Sequence, residues 1–401
     1  MNKYTKALFD LSILISPVAI DDAELKEIML SNDTPWDEII DFANQHLLIP
    51  TLCESLKQKD LTQFVKNELI VEYLETVYDI NTTRNQAILV QLQDIANLFS
   101  EIDVKPILLK GASALSEGHY SGIGERMMSD IDILVPEDRI LECIELLESK
   151  KGGYQPIDSE ENFWTEDGHH YRRIHSENGA AALELHRYCL GKGYPYLSNS
   201  RVMEHVRDSK RIENAFVIEP TFELYHAFLH SEISDTSYEN NVLMLRHLHQ
   251  AAVIATKYKD EIDWALLEKE VKKYELPEEE LKKYQLSSVW SSYLYALNKL
   301  FKVEVPPEMI GDNKHFEEII YYMENYSKTD AIVSLNLINM KRAFSYEKLK
   351  EKYNLKSKWG YPLALSKHTL ELLYKYAFSS EDRKELFDYI GNHIRARQYG
   401  R

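Results

Sequence analysis

Apolar positions recur at helical spacing from Ala23 to about Phe99, with Trp36, Ile39, Ile40, Phe42 and Ala43 making one face before the run breaks at Pro50. The texture changes at Pro106-Ile107-Leu108-Leu109, a short apolar run ended by Lys110-Gly111 and followed by small residues suited to a helix start. This predicts strand, turn, helix. In Ser129-Asp130-Ile131-Asp132-Ile133-Leu134-Val135-Pro136 the alternation puts both aspartates on one strand face and Ile131, Ile133 and Val135 on the other. The segment from Glu137 to Lys150 then reads as a helix. Tyr171 to His175 and Ala181 to His186 predict two strands of a hairpin whose turn contains Asn178-Gly179, with Glu184 and His186 sharing a face. Beyond Glu219-Pro220 helical spacing returns through Phe222, Leu224, Tyr225, Phe228 and Leu229, and again around Leu245, Leu248 and Ala251. The rest of the chain reads as helical, without a fixed-period repeat. The order of elements predicts an α+β fold: a small mixed-sheet core over residues 97–218, flanked by helical regions over 1–96 and 219–401.

Composition narrows the class. With 44% apolar and 28% charged residues, and only 14 Gly and 12 Pro in 401 residues, the chain reads as folded and helix-rich. Acidic residues outnumber basic ones 65 to 47, and a net charge of -18 disfavours long nucleic acids as partners. Cys53, Cys143 and Cys189 are far apart and form no CxxC pair, which points to reduced thiols and a cytoplasmic protein. The apolar stretch Leu8 to Ile20 is interrupted by Asp10 and followed by Asp21-Asp22 where a small-residue cleavage site would stand, so no signal peptide is expected. No run is long enough to span a bilayer, and no membrane partner is expected.

The chemistry lies in the strand carboxylates. Asp130 and Asp132 stand side by side and repel each other unless a cation sits between them. Magnesium, or manganese in its place, accepts a few carboxylates and completes its shell with water and phosphate oxygens, which makes Glu184 the candidate third metal ligand. Gly111 at the head of a helix allows close approach of phosphate, with Lys110, Ser113 and Arg126 as candidate phosphate contacts. The loop from Gly118 to Gly124 is glycine-rich enough to move. His169, His170, His175 and His186 cluster in sequence without an HExxH or finger spacing, so zinc is not expected there, and His186 reads as a supporting or acceptor-side group.

Taken in order, Leu108 to Leu115, Arg126, Ser129 to Val135 and Leu183-Glu184-Leu185-His186 resemble the polymerase-beta-like nucleotidyltransferase superfamily. More narrowly, the chain is similar to the uncharacterised bacterial nucleotidyltransferase family with a KGxxL...DIDILV...LH signature. Trp36, Ala43, His46 and Pro50 resemble that family's helical lead-in, and Leu224, His226, His230 and Arg246 its helical segment after the core. The resemblance covers about residues 30–265. It implies Asp130 and Asp132 as the metal pair, Glu184 as the third carboxylate, and Gly111 and Ser113 as phosphate contacts, with Ser129 beside them in the nucleotide site. Two departures stand out: nineteen positions separate Gly111 from Asp130, more than in many minimal members, with Ala112 where serine is common so that Ser113 would substitute, and His249 stands where an aspartate is expected.

The expected activity is transfer of an NMP from a magnesium-bound NTP such as ATP to an acceptor hydroxyl on a small molecule, a protein or an RNA end. Two rival readings are a noncatalytic nucleotide-binding interaction protein and a toxin-like enzyme that modifies tRNA or protein.

Overall fold

The computed structural model describes residues 1–157, 168–191, 194–274, 285–311 and 313–325. The chain divides into two compact units, Met1–Glu318 and Ile319–Arg401, and the expected helical stretch beyond residue 325 lies outside the described residues. Four short helices lead in: α1 (Lys3–Leu14), α2 (Asp22–Leu30), α3 (Trp36–Gln45) and α4 (Ile49–Gln58). Pro50 falls in the first turn of α4, where its missing N–H leaves no helix hydrogen bond unmade, so the break in the pattern marks a helix start. The long α5 (Glu68–Ser100) follows, capped by the Asn67 side chain, which accepts from Leu69 N at 3.1 Å.

The α+β expectation holds. The first strand, β1 (Ile107–Leu108), runs into α6 (Lys110–Ser116), then come β2 (Asp130–Leu134), α7 (Ile140–Glu148), β3 (Tyr154–Pro156), β4 (Ile174–Ser176) and β5 (Ala182–His186). The remainder is α8 (Asn199–Met203), β6 (Val206–Asp208), β7 (Phe216–Ile218), α9 (Pro220–Phe228), a π-helical turn over Leu229–Ser234, α10 (Leu245–Lys257), α11 (Trp264–Lys272), α12 (Leu286–Phe301) and α13 (Lys314–Asn325). The described strands form one mixed sheet in the order β3-β4-β5-β2-β1-β7-β6, with β2 parallel to β5 and β1 parallel to β7. Among the described residues no helix is long and apolar enough to cross a membrane.

Strand alternation divides the sheet into an apolar and a polar face. Ile131, Ile133, Val135, Leu183, Leu185 and Val217 join the buried cluster that also holds Ile88, Leu92, Ile95 and Phe99 of α5 and Cys143 and Leu147 of α7. The opposite face is left to the carboxylates. The stripe on α5 that continues Ile88 and Leu92 toward its amino end is polar: Asn81 Nδ2 donates to Gly124 O at 2.6 Å, and Asn85 Nδ2 to Ile123 O at 2.7 Å and Arg126 O at 2.8 Å. Arg84 donates to the carbonyls of Met128 and Ser129. Gln91 Oε1 accepts from Ala180 N at 2.8 Å and Ala181 N at 3.1 Å, while its Nε2 donates to Ala181 O at 2.9 Å. One helix thus fixes both the loop entering β2 and the turn entering β5. The Gly118 to Gly124 loop, expected to move, is tied down by these bonds; an added Cβ at Gly124 would meet Thr82 Oγ1 at 2.1 Å and Tyr78 O at 2.9 Å.

Candidate active site

In the parallel β2–β5 ladder Asp130 lies opposite Ala182, Asp132 opposite Glu184 and Leu134 opposite His186. The period-two rule therefore puts Asp130, Asp132, Glu184 and His186 on one face, in adjacent strands. Asp132 is buried; its Oδ1 accepts from Lys110 Nζ at 2.8 Å and lies 3.0 Å from His186 Nε2. Glu184 Oε2 lies 3.6 Å from His170 Nε2 and 3.8 Å from His186 Nε2. Asp130, half-buried at the strand entry, accepts from Ser129 Oγ at 2.9 Å.

These contacts separate the two central carboxylates electrostatically. Burial works to protonate Asp132, but the Lys110 ammonium and the His186 hydrogen bond hold its carboxyl well below the usual range. Burial and then the negative charges of Asp132 and Asp130 push Glu184 up to about 7. Burial lowers His186 to about 3, leaving a neutral ring at pH 7 whose Nε2–H donates to Asp132 and whose Nδ1 is buried without a partner. Asp132, Glu184 and His186 offer ligand atoms within 4.8 Å of one another. The concentration of carboxylate oxygens, with one of them kept ionised, fits a hard divalent cation.

A cleft opens over Asp130 and Asp132. Lys110, Gly111, Met128 and Ser129 also belong to its sheet side, while Glu223, His226, His230, Arg246 and Gln250 line the helical wall. Lys110 has φ +49°, a left-handed conformation that costs a non-glycine residue energy and that turns the chain from β1 into α6. Its ammonium is engaged by Asp132. Arg126 lines the same cleft, with Nη2 donating to Gln250 Oε1 at 2.9 Å and Nη1 to Met127 O at 2.7 Å. Ser113 departs from its expected place: it is 1% exposed and its Oγ donates to Glu223 Oε1 at 2.7 Å, which keeps the hydroxyl from the cleft. Glu223, also bonded to His119, went unnoticed in the sequence, as did Asn81, Asn85 and Gln91. The only signal for the last three was polar residues at helical spacing on a face that continues as apolar.

Buried titratable groups predict a bell-shaped stability profile. Burial lowers His46 and His226 to about 4 and His186, His247 and His249 to about 3, so between these values and 6.5 the unfolded chain binds protons that the fold refuses. Stability therefore rises with pH up to about 6.5. Burial raises Glu125, Glu184 and Glu232 to about 7, so these glutamates contribute stability that is full below their unfolded value of 4.5 and lost as pH rises through 7. Between 4.5 and 6.5 the five histidines outweigh the three glutamates; from 6.5 through about 7 the glutamates reverse the slope. The melting temperature of the metal-free protein is expected to peak near pH 6.5; a profile that still climbs from about pH 7 to about pH 7.5 contradicts this balance.

A family model described as an uncharacterised nucleotidyltransferase matches residues 32–287, more than half of the chain. No curated protein and no solved structure matches it.

Proposed function

The chain belongs to the uncharacterised nucleotidyltransferase family, and on that premise we propose that it transfers an NMP from a magnesium-bound NTP to an acceptor hydroxyl by a two-metal mechanism. The observation that carries the reading is the pairing of Asp132 with Glu184 across parallel strands, two residues along from Asp130, beneath a cleft that Arg126 and Arg246 also line. Asp130, Asp132 and Glu184 would hold magnesium, or manganese in its place, which when bound neutralises charge on the triphosphate and activates the attacking hydroxyl.

The chain's own residues account for the rest. Lys110, Arg126 and Arg246 supply donors for phosphate oxygens, and Ser129 adds a hydroxyl at the strand entry. Gly111 lines the cleft, where its backbone would meet phosphate; an added Cβ there would meet Met128 Sδ at 2.4 Å. His186, neutral and fully buried, holds the Asp132 carboxylate in one orientation. Glu184 is also the carboxylate placed to take the acceptor proton as general base. Ser113 acts through Glu223 rather than on the nucleotide. We take residues 97–218 as the catalytic core and the flanking helices as the walls of the acceptor cleft. An acceptor that is a small molecule, a protein or an RNA end fits the net charge of -18 better than a long nucleic acid, and three buried free thiols agree with a cytoplasmic setting.

The test is incubation of the purified protein with each α-labelled NTP and magnesium or manganese, with and without cell extract. Pyrophosphate release with label carried onto an acceptor is the expected result. Absence of transfer together with absence of metal-dependent NTP binding overturns the reading and leaves an interaction module.

A further inference from the structure

On the helical wall of the cleft, His230 and Asp235 come from the π-helical turn and its exit, and His247 from α10. In an α-helix a residue five positions on points about 140° away from the first. The π turn instead closes an i to i+5 bond, Asp235 N to His230 O at 2.8 Å, which brings the two side chains together. Asp235 Oδ2 lies 3.4 Å from His230 Nδ1 and 3.6 Å from His247 Nδ1, and the two imidazoles stand 5.5 Å apart at 70°. Both separations exceed the usual N–H···O range of about 2.7–3.2 Å. They are close to the edge of a tetrahedron around zinc, about 3.4 Å for metal–ligand bonds of about 2.1 Å. His247 Nδ1 is buried and without a hydrogen bond.

We propose that His230, Asp235 and His247 form a three-ligand site for a borderline transition-metal ion of the zinc class, with its open position facing the cleft. Two imidazole nitrogens and one carboxylate oxygen suit zinc, cobalt or manganese better than magnesium, and three protein ligands are the number found where a fourth position is kept for water or substrate. The site is separate from the Asp130, Asp132 and Glu184 cluster, where the donors are mainly oxygens. Arg246 Nη2 lies 3.2 Å from His247 Nε2. Coordination through Nδ1 requires the ring proton on Nε2, which ends that contact and frees the guanidinium for the cleft. The use of the ion, to hold the acceptor opposite Asp130 and Asp132, rests on the nucleotidyl-transfer reading; its binding does not.

The experiment measures zinc binding to the full-length chain carrying Asp130→Asn, Asp132→Asn and Glu184→Gln, so that the carboxylate cluster is removed. One equivalent of zinc is expected to remain bound, and cobalt in its place is expected to show the strong visible absorption of a tetrahedral site. Adding either His247→Ala or Asp235→Asn to that background is expected to weaken zinc binding by at least about 100-fold, the upper end of what loss of a supporting group alone costs. The two variants disturb different elements, so if His247→Ala fails to fold, Asp235→Asn gives the answer. Loss of all zinc with the carboxylates, or affinity unchanged by Asp235→Asn, overturns the proposal. In the wild-type chain, zinc bound at this site without label transfer defeats only the nucleotidyl-transfer reading, and label transfer without zinc at this site defeats only this one.

Discussion

Asp132→Asn is expected to slow nucleotidyl transfer by about 1,000-fold or more while the chain stays folded. Several kcal/mol of transition-state charge stabilisation depend on a cation held at this position, and about 4 kcal/mol is three powers of ten in rate. Asparagine keeps the shape of the side chain but removes the charge. Lys110, held above its ordinary value by Asp132, Glu184 and Asp130 against the effect of burial, then loses its nearest counter-ion. The same substitution carries an independent readout. Because Asp132 is the largest charge acting on Glu184 after burial itself, its removal lowers the Glu184 pKa from about 7. Single-turnover rates at saturating magnesium and NTP measure the first effect, and carboxyl titration by NMR measures the second. A variant within tenfold of the wild-type rate would place the chemistry elsewhere.

Why Asp132 and Glu184 could be found from sequence, and Glu223 could not, follows from how each is positioned. Alternation along a strand is a property of the backbone, so Asp130 shares a face with Asp132, and Glu184 with His186, whatever surrounds them. The turn at Asn178-Gly179 announces only the β4–β5 hairpin; the parallel pairing of β5 with β2, which brings Glu184 beside Asp132, joins segments distant in sequence and is seen only in the fold. The fate of Ser113 was different. Its hydroxyl bonds a carboxylate 110 residues away, in a helix whose placement no local pattern encodes. The same holds for the loop from Gly118 to Gly124, whose glycines suggest freedom until Asn81 and Asn85 are seen to occupy its carbonyls. Lys110 was legible as a cation, but not the contact that turns it toward Asp132 instead of leaving it free. The His230, Asp235 and His247 cluster depends on a π turn, which apolar periodicity does not announce.

Removing the His119 ring is expected to destabilise the fold by about 3–5 kcal/mol at neutral pH, the usual consequence of stripping the partner from a buried charge. Glu223 is 4% exposed; both its oxygens lie 2.9 Å from His119 Nε2, and Ser113 Oγ donates to one of them. Burial acts to raise the Glu223 pKa, yet His119 and Ser113 reverse it and hold the carboxyl below its ordinary value. With the folded value depressed, Glu223 contributes stability that is present above its unfolded value of 4.5 and lost as pH falls through the folded one. In His119→Ala the sign inverts: burial dominates, the folded value rises, and the deficit shrinks on acidification as the carboxyl takes up a proton. Urea unfolding at about pH 8 and about pH 5 separates this from loss of packing, which is indifferent to pH. A deficit below about 1 kcal/mol, or one equal at both pH values, would show that the carboxylate does not depend on the ring. The consequence for the site is geometric. Glu223 ties α9 to Ser113 in α6, the helix that begins at Lys110, so a weakened bond here loosens the helical wall of the cleft against the strand that carries Asp130 and Asp132.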